Sequence, residues 1–137
     1  MSAKPAGMIR GLSIVCLTLM LSGCELIMIA TCAGRPDIEI QPGNLPVANA
    51  GQPYYVRLEV PDTRSPVSGF YVDPAMPLPQ GLELVYLEQT NQAQIQGTPT
   101  IPGVYNVSVY TSSYGTQCIG QSAQRTYKLN VRAPARS

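Results

Sequence analysis

Tyr54-Tyr55-Val56-Arg57-Leu58-Glu59-Val60 carries the clearest structural signal in the chain. Tyr54, Val56, Leu58 and Val60 recur at every second position, with Tyr55, Arg57 and Glu59 between them. That period belongs to a strand with one buried and one solvated face. Pro61-Asp62 ends it. Further along, Ser68 to Val72 reads as a strand stopped by Asp73-Pro74, Leu82 to Leu87 as another, and Ala93 to Gln96 as one cut by Gly97-Thr98-Pro99. Tyr105, Val107 and Val109 then alternate with Asn106, Ser108 and Tyr110, and Tyr127, Leu129 and Val131 with Lys128, Asn130 and Arg132. On the N-terminal side a brief strand, Ile38 to Ile40, ends at Gln41-Pro42-Gly43-Asn44. Short alternating strands at regular turn spacing predict an all-β, immunoglobulin-like antiparallel β-sandwich of about seven strands. It occupies residues 37–133, with 134–137 as a C-terminal tail.

Composition fits a globular domain and removes several kinds of chemistry. Of 137 residues 45% are hydrophobic, so the 13 prolines and 12 glycines read as turn punctuation rather than disorder. From residue 24 onward the basic residues nearly balance the acidic ones, which is no footprint for nucleic acid. Histidine is absent, and with it the neutral-pH imidazole base and the imidazole metal ligand. The acids Asp37, Glu39, Glu59, Asp62, Asp73, Glu83 and Glu88 are dispersed, with no Asp-x-Asp pair to converge on calcium. Ser112, Ser113 and Ser122 have no imidazole to activate them. The expectation is a noncatalytic protein without cofactor or metal; a small hydrolase would have to lose activity on replacement of a specific acid.

The N-terminus reads as an export signal. Lys4 and Arg10 precede an apolar run from Gly11 to Leu21, and small residues follow, the layout of a secretory signal peptide. Leu21-Ser22-Gly23-Cys24 resembles the lipobox of bacterial lipoproteins. The resemblance implies removal of residues 1–23, acylation of Cys24, and a lipidated N-terminus and short tether over 24–36. Membrane lipid is then a partner through Cys24. Glu25, where inner-membrane retention would place Asp, resembles the outer-membrane sorting pattern and implies an anchor there, facing the periplasm; the alternative is a surface-exposed adhesin or host-contact lipoprotein. An uncleaved transmembrane helix from Gly11 to Ala33 would bury Glu25 at a cost of roughly 2.5 kcal/mol or more. The tether Glu25 to Thr31 reaches at most roughly 25 Å when extended. With Cys16 in the leader and Cys24 acylated, Cys32 and Cys118 are the pair left for a disulfide in an oxidising compartment. Two unpaired buried thiols are the alternative.

Leu78-Pro79-Gln80-Gly81-Leu82, Ile95-Gln96-Gly97-Thr98-Pro99-Thr100 and Pro102-Gly103-Val104-Tyr105 together resemble the immunoglobulin-like (cadherin-like) domain of bacterial surface proteins, with its Leu-Pro-x-Gly-Leu, Ile-x-Gly-Thr-Pro and Gly-x-Tyr elements. The likeness spans roughly Ile38 to Ala133 and places Tyr105 where a tyrosine corner would sit. The chain departs from the pattern in a longer Val85 to Gln92 segment, in Val107 where antibody-type domains carry their second core cysteine, and in its single copy. Thr111 to Gln124 is long for a hairpin connection and rich in Tyr, Ser, Gly and Gln, a composition suited to recognition. Within it Tyr114, Gly115, Gln117 and Ile119 are the candidate contacts for a protein partner in the cell envelope. A loop end merely stapled by Cys118 is the alternative.

Overall fold

The structure, a computed structural model, describes residues 6–61 and 63–135; the side chains of residues 6, 8, 9 and 20–24 are not among those described. Residues 1–5 of the expected leader, the strand-ending Asp62 and the last two residues of the tail lie outside the described residues. The chain divides into two units, Met1–Arg35 and Pro36–Ser137.

Among the described residues the first unit holds one helix, α1, Ala6–Ala33. No proline interrupts it, and it closes where the Gly34 N–H donates to the Ala30 carbonyl at 3.2 Å. Both of its threonines bond back to the helix: Thr18 donates to the Val15 carbonyl at 2.9 Å and Thr31 to the Ile27 carbonyl at 2.7 Å. Apolar side chains including Leu12, Ile14, Leu19, Ile27 and Ile29 are exposed. Among the described residues no helix is long and apolar enough to cross a membrane. Glu25 to Thr31 are helical, so they span about 10 Å rather than their extended limit.

Among its described residues the second unit holds seven strands: β1 Ala48–Asn49, β2 Tyr54–Glu59, β3 Val67–Val72, β4 Leu82–Leu87, β5 Gln92–Gly97, β6 Gly103–Ser113 and β7 Ser122–Arg132. They form two sheets, in the orders β1-β7-β6-β3 and β2-β5-β4. All pairs are antiparallel except β1 with β7. The alternation expected of β2 is present in full, with Tyr54, Val56, Leu58 and Val60 buried and the residues between them exposed. Leu58 and Ile95 from one sheet and Val107, Val109 and Leu129 from the other are fully buried, forming the core between the layers. The domain is an immunoglobulin-like sandwich.

The first edge differs from the expectation. Ile38 and Ile40 are buried in the core, but the only ladder contact there is an isolated bridge from Gln41 to Glu59. Pro42 has no N–H to continue the pairing, and after the cis Gln41–Pro42 bond the chain crosses to the other sheet, where Ala48–Asn49 pairs with β7. Two buried phenols hold this crossover: Tyr127 donates to the Pro42 carbonyl and Tyr54 to that of Pro46, each at 2.9 Å.

The sequence elements quoted above meet in space. Gly81 and Gly97 face one another at the ends of β4 and β5, with φ of 96° and 131°. The Thr98 N–H donates to the Gly81 carbonyl at 3.0 Å, and a Cβ placed on Gly97 would lie 2.0 Å from that oxygen. Only glycine fits so close an approach. The Tyr105 hydroxyl donates to the Ile101 carbonyl at 2.8 Å, forming the tyrosine corner, and Val107 is fully buried.

Candidate binding site

Strands β2, β4 and β6 finish at the same end of the sandwich, so the described residues of their connections, 60–61 and 63–66, 88–91 and 114–121, gather there. Pro36, the first residue of the unit, is held at this end as well, its carbonyl accepting from the Gln121 side-chain amide at 2.8 Å. The β6–β7 connection is shorter than the Thr111 to Gln124 loop expected from composition. Tyr110 pairs with Gln124, Thr111 with Ala123 and Ser112 with Ser122, which leaves only residues 114–121 outside the ladder. Ladder hydrogen bonds are made by backbone, which serine, threonine and glutamine supply as well as valine does. The inward hydroxyl of Thr111 finds the Gly69 carbonyl at 2.6 Å.

What remains of the loop is fixed at several points. The Ser113 N–H donates to the Gln121 carbonyl at 2.8 Å, the Gln121 N–H to Ser113 Oγ at 3.0 Å, and the Tyr114 N–H to the Pro66 carbonyl at 3.0 Å. Cys118 is disulfide-bonded, as is Cys32. Cys24 lies within α1, and its side chain is not among those described.

A cleft of about 490 Å³ opens where the three connections meet. Pro66, Val67 and Ser68 at the start of β3 form one side, Tyr86, Glu88 and Gln89 of the β4–β5 hairpin another, and Tyr114 closes it. Of the four loop residues singled out by sequence, Tyr114 alone lines the cleft; Gly115, Gln117 and Ile119 are exposed and do not. The register of β3 on β6 shifts between Val67 and Gly69, so Ser68 is an extra residue in a bulge, a device that re-aims side chains at sites. Its hydroxyl donates to the Ser112 carbonyl at 3.0 Å.

The walls are tied together. The Val67 N–H donates to Asn91 Oδ1 at 3.2 Å, and Tyr86 Oη sits 2.9 Å from the Val67 carbonyl and 3.2 Å from that of Thr90. The Tyr86 ring lies against Phe70, centroids 6.0 Å apart. Burial pushes the Tyr86 phenol above its usual range, and the nearby Tyr114, Glu88 and Tyr71 push it further, against a backbone hydrogen bond at Gln89. Beside the cleft, on the outer face of the sheet, Tyr71 and Tyr110 stack at 5.3 Å. Tyr86, Glu88 and Gln89 were missed by sequence reasoning, which took them for an ordinary strand and turn. Among the described residues no three His, Cys, Asp or Glu side chains gather to hold a metal ion.

No protein-family model matches the chain, and no curated protein matches it in sequence. Solved structures resemble it in fold. One is the SrpA adhesin of Streptococcus sanguinis, 12% identical over 72% of this chain and 56% of that one, with a TM-score of 0.49; the chain spans little more than half of that adhesin chain. Another is the BIgI domain of the beta protein from S. agalactiae, solved bound to CEACAM1, 12% identical over 72% of this chain and 98% of that one, with a TM-score of 0.45. The titin M3 domain is 17% identical over 72% and 93%, with a TM-score of 0.40.

Proposed function

We propose that this chain is a noncatalytic lipoprotein, anchored by acylated Cys24 at the periplasmic face of the outer membrane, whose sandwich serves as a binding or scaffolding module for a protein of the cell envelope. The observation that carries the binding role is the cleft: two tyrosines and a strand bulge meet at the loop end, with walls held by hydrogen bonds before any ligand arrives. Such preorganisation lowers the ordering cost of association. The anchor rests on the lipobox, and three acyl chains hold a protein to a bilayer without a span.

Crosslinking of a tagged, lipidated copy in its own membrane, read by mass spectrometry, tests the binding role. A partner that recurs through Tyr114 or its neighbours supports it; no recurrent partner sinks it. Cys24→Ala is expected to lose palmitate labelling and accumulate as precursor, and labelling that persists would remove the anchor. Protease treatment of intact cells separates a periplasmic from a surface-exposed module.

A further inference from the structure

We propose that the loop-end cleft accepts a cationic side chain, an arginine guanidinium before a lysine ammonium, presented by the protein partner. This rests on the binding-module reading and specifies its chemistry. Two tyrosines, a glutamate, a serine and a glutamine line the cleft, and among the described residues no basic side chain does. Tyr86 and Tyr114 supply aromatic rings, and a ring's quadrupole attracts a cation placed over its face. Glu88 supplies a carboxylate, and Ser68 and Gln89 supply neutral acceptor oxygens. A planar guanidinium stacks on tyrosine and donates to a carboxylate at once, which a compact ammonium does less well.

The electrostatic environment agrees with that lining. Among the described residues that line the cleft, Glu88 is the one charged side chain, so the site carries a single negative charge with nothing in its lining to neutralise it. An anionic ligand would be repelled by Glu88, and a neutral one would displace its water without the ion pair that a cation brings. The volume, about 490 Å³, falls within the range of clefts that enclose small ligands. The hairpin is also held in an uncommon conformation on this side, Gln89 keeping a φ of 61°, and that places its amide in the wall.

The test uses the full chain in detergent, titrated with N-acetyl-arginine amide, N-acetyl-lysine amide and the neutral isostere N-acetyl-citrulline amide, and reads the tyrosine ring resonances by NMR. Saturable shifts of Tyr86 and Tyr114 are expected, strongest for arginine, weaker for lysine and absent for citrulline. Glu88→Gln and Tyr114→Ala, both at exposed positions, should each weaken the arginine complex by about tenfold, and Glu88→Gln should also flatten its salt dependence. Citrulline binding as well as arginine, arginine binding unchanged in both variants, or no saturable shift would each overturn the proposal. The two readings fail separately. A crosslinked partner that engages Glu88→Gln as tightly as the parent chain removes the cation and keeps the module, whereas arginine binding in a chain with no recurrent partner does the reverse.

Discussion

Replacing Gly97 with alanine tests the close backbone approach between the ends of β4 and β5. Gly97 has a φ of 131°, where an L side chain is strained, at a cost of about 1–3 kcal/mol. The added Cβ would also meet the Gly81 carbonyl oxygen at 2.0 Å, and because the obstacle is backbone it cannot swing aside. Forcing atoms into a packed site costs about 1–3 kcal/mol more. The total, about 2–6 kcal/mol, is a large share of the 5–15 kcal/mol typical of a domain. Gly51→Ala separates the two contributions, since Gly51 also has a positive φ, 78°, but nothing within 4 Å of its would-be Cβ. Urea unfolding of the oxidised chain followed by tyrosine fluorescence should place Gly97→Ala below Gly51→Ala by about 1–3 kcal/mol at unchanged slope. Equal midpoints would refute the argument that the two glycines are required by their contact.

Other consequences are open to measurement. Tyr105→Phe removes only the hydroxyl bonded to Ile101, so a loss of about 0.5–1.5 kcal/mol is expected; a Tm equal to the parent's would deny the corner any role. Burial raises Tyr54 and Tyr127 to about 12, so the native state holds their protons more tightly than the unfolded chain. Their contribution is intact below about pH 10 and lost as pH rises toward 12; base titration should show cooperative unfolding in that window, and an unchanged midpoint in Tyr127→Phe would deny that residue's ionisation a part in it. Gln89→Gly relieves the left-handed conformation at the hairpin and should raise stability by up to about 1 kcal/mol, after the entropic cost of glycine. Cys32→Ser opens the loop closed through Cys118 and should cost up to about 4–5 kcal/mol in the chain-entropy model. Identical urea midpoints for variant and parent would contradict that.

Where apolar and polar residues alternate strictly, as in Tyr54 to Val60 and Tyr127 to Val131, the strands were legible because one buried face imposes a period of two. Where both faces are polar the same ladder leaves no mark: Thr111 to Ser113 and Ser122 to Gln124 read as loop yet are paired. A two-residue strand such as Ala48–Asn49 is too short to show a period at all. Of the candidate site, Tyr114 was visible through the composition of its loop. Tyr86 and Gln89 were not, because their role comes from packing of the β4–β5 hairpin on the start of β3, across a separation no local pattern encodes.

The bond between Cys32 and Cys118 also decides how the protein carries mechanical load. Between residue 24 and the C-terminus the shortest covalent path runs through the bridge and along β7, leaving residues 33–117 off the line of tension. A pull on the oxidised chain therefore strains β7 directly and reaches the other strands through its hydrogen bonds to β1 and β6 and through the core packing of Tyr127, Leu129 and Val131. Reduction reroutes the force through the whole sandwich and loads the parallel β1–β7 pair in shear. Single-molecule extension would read this as a short contour gain when oxidised and a long one when reduced.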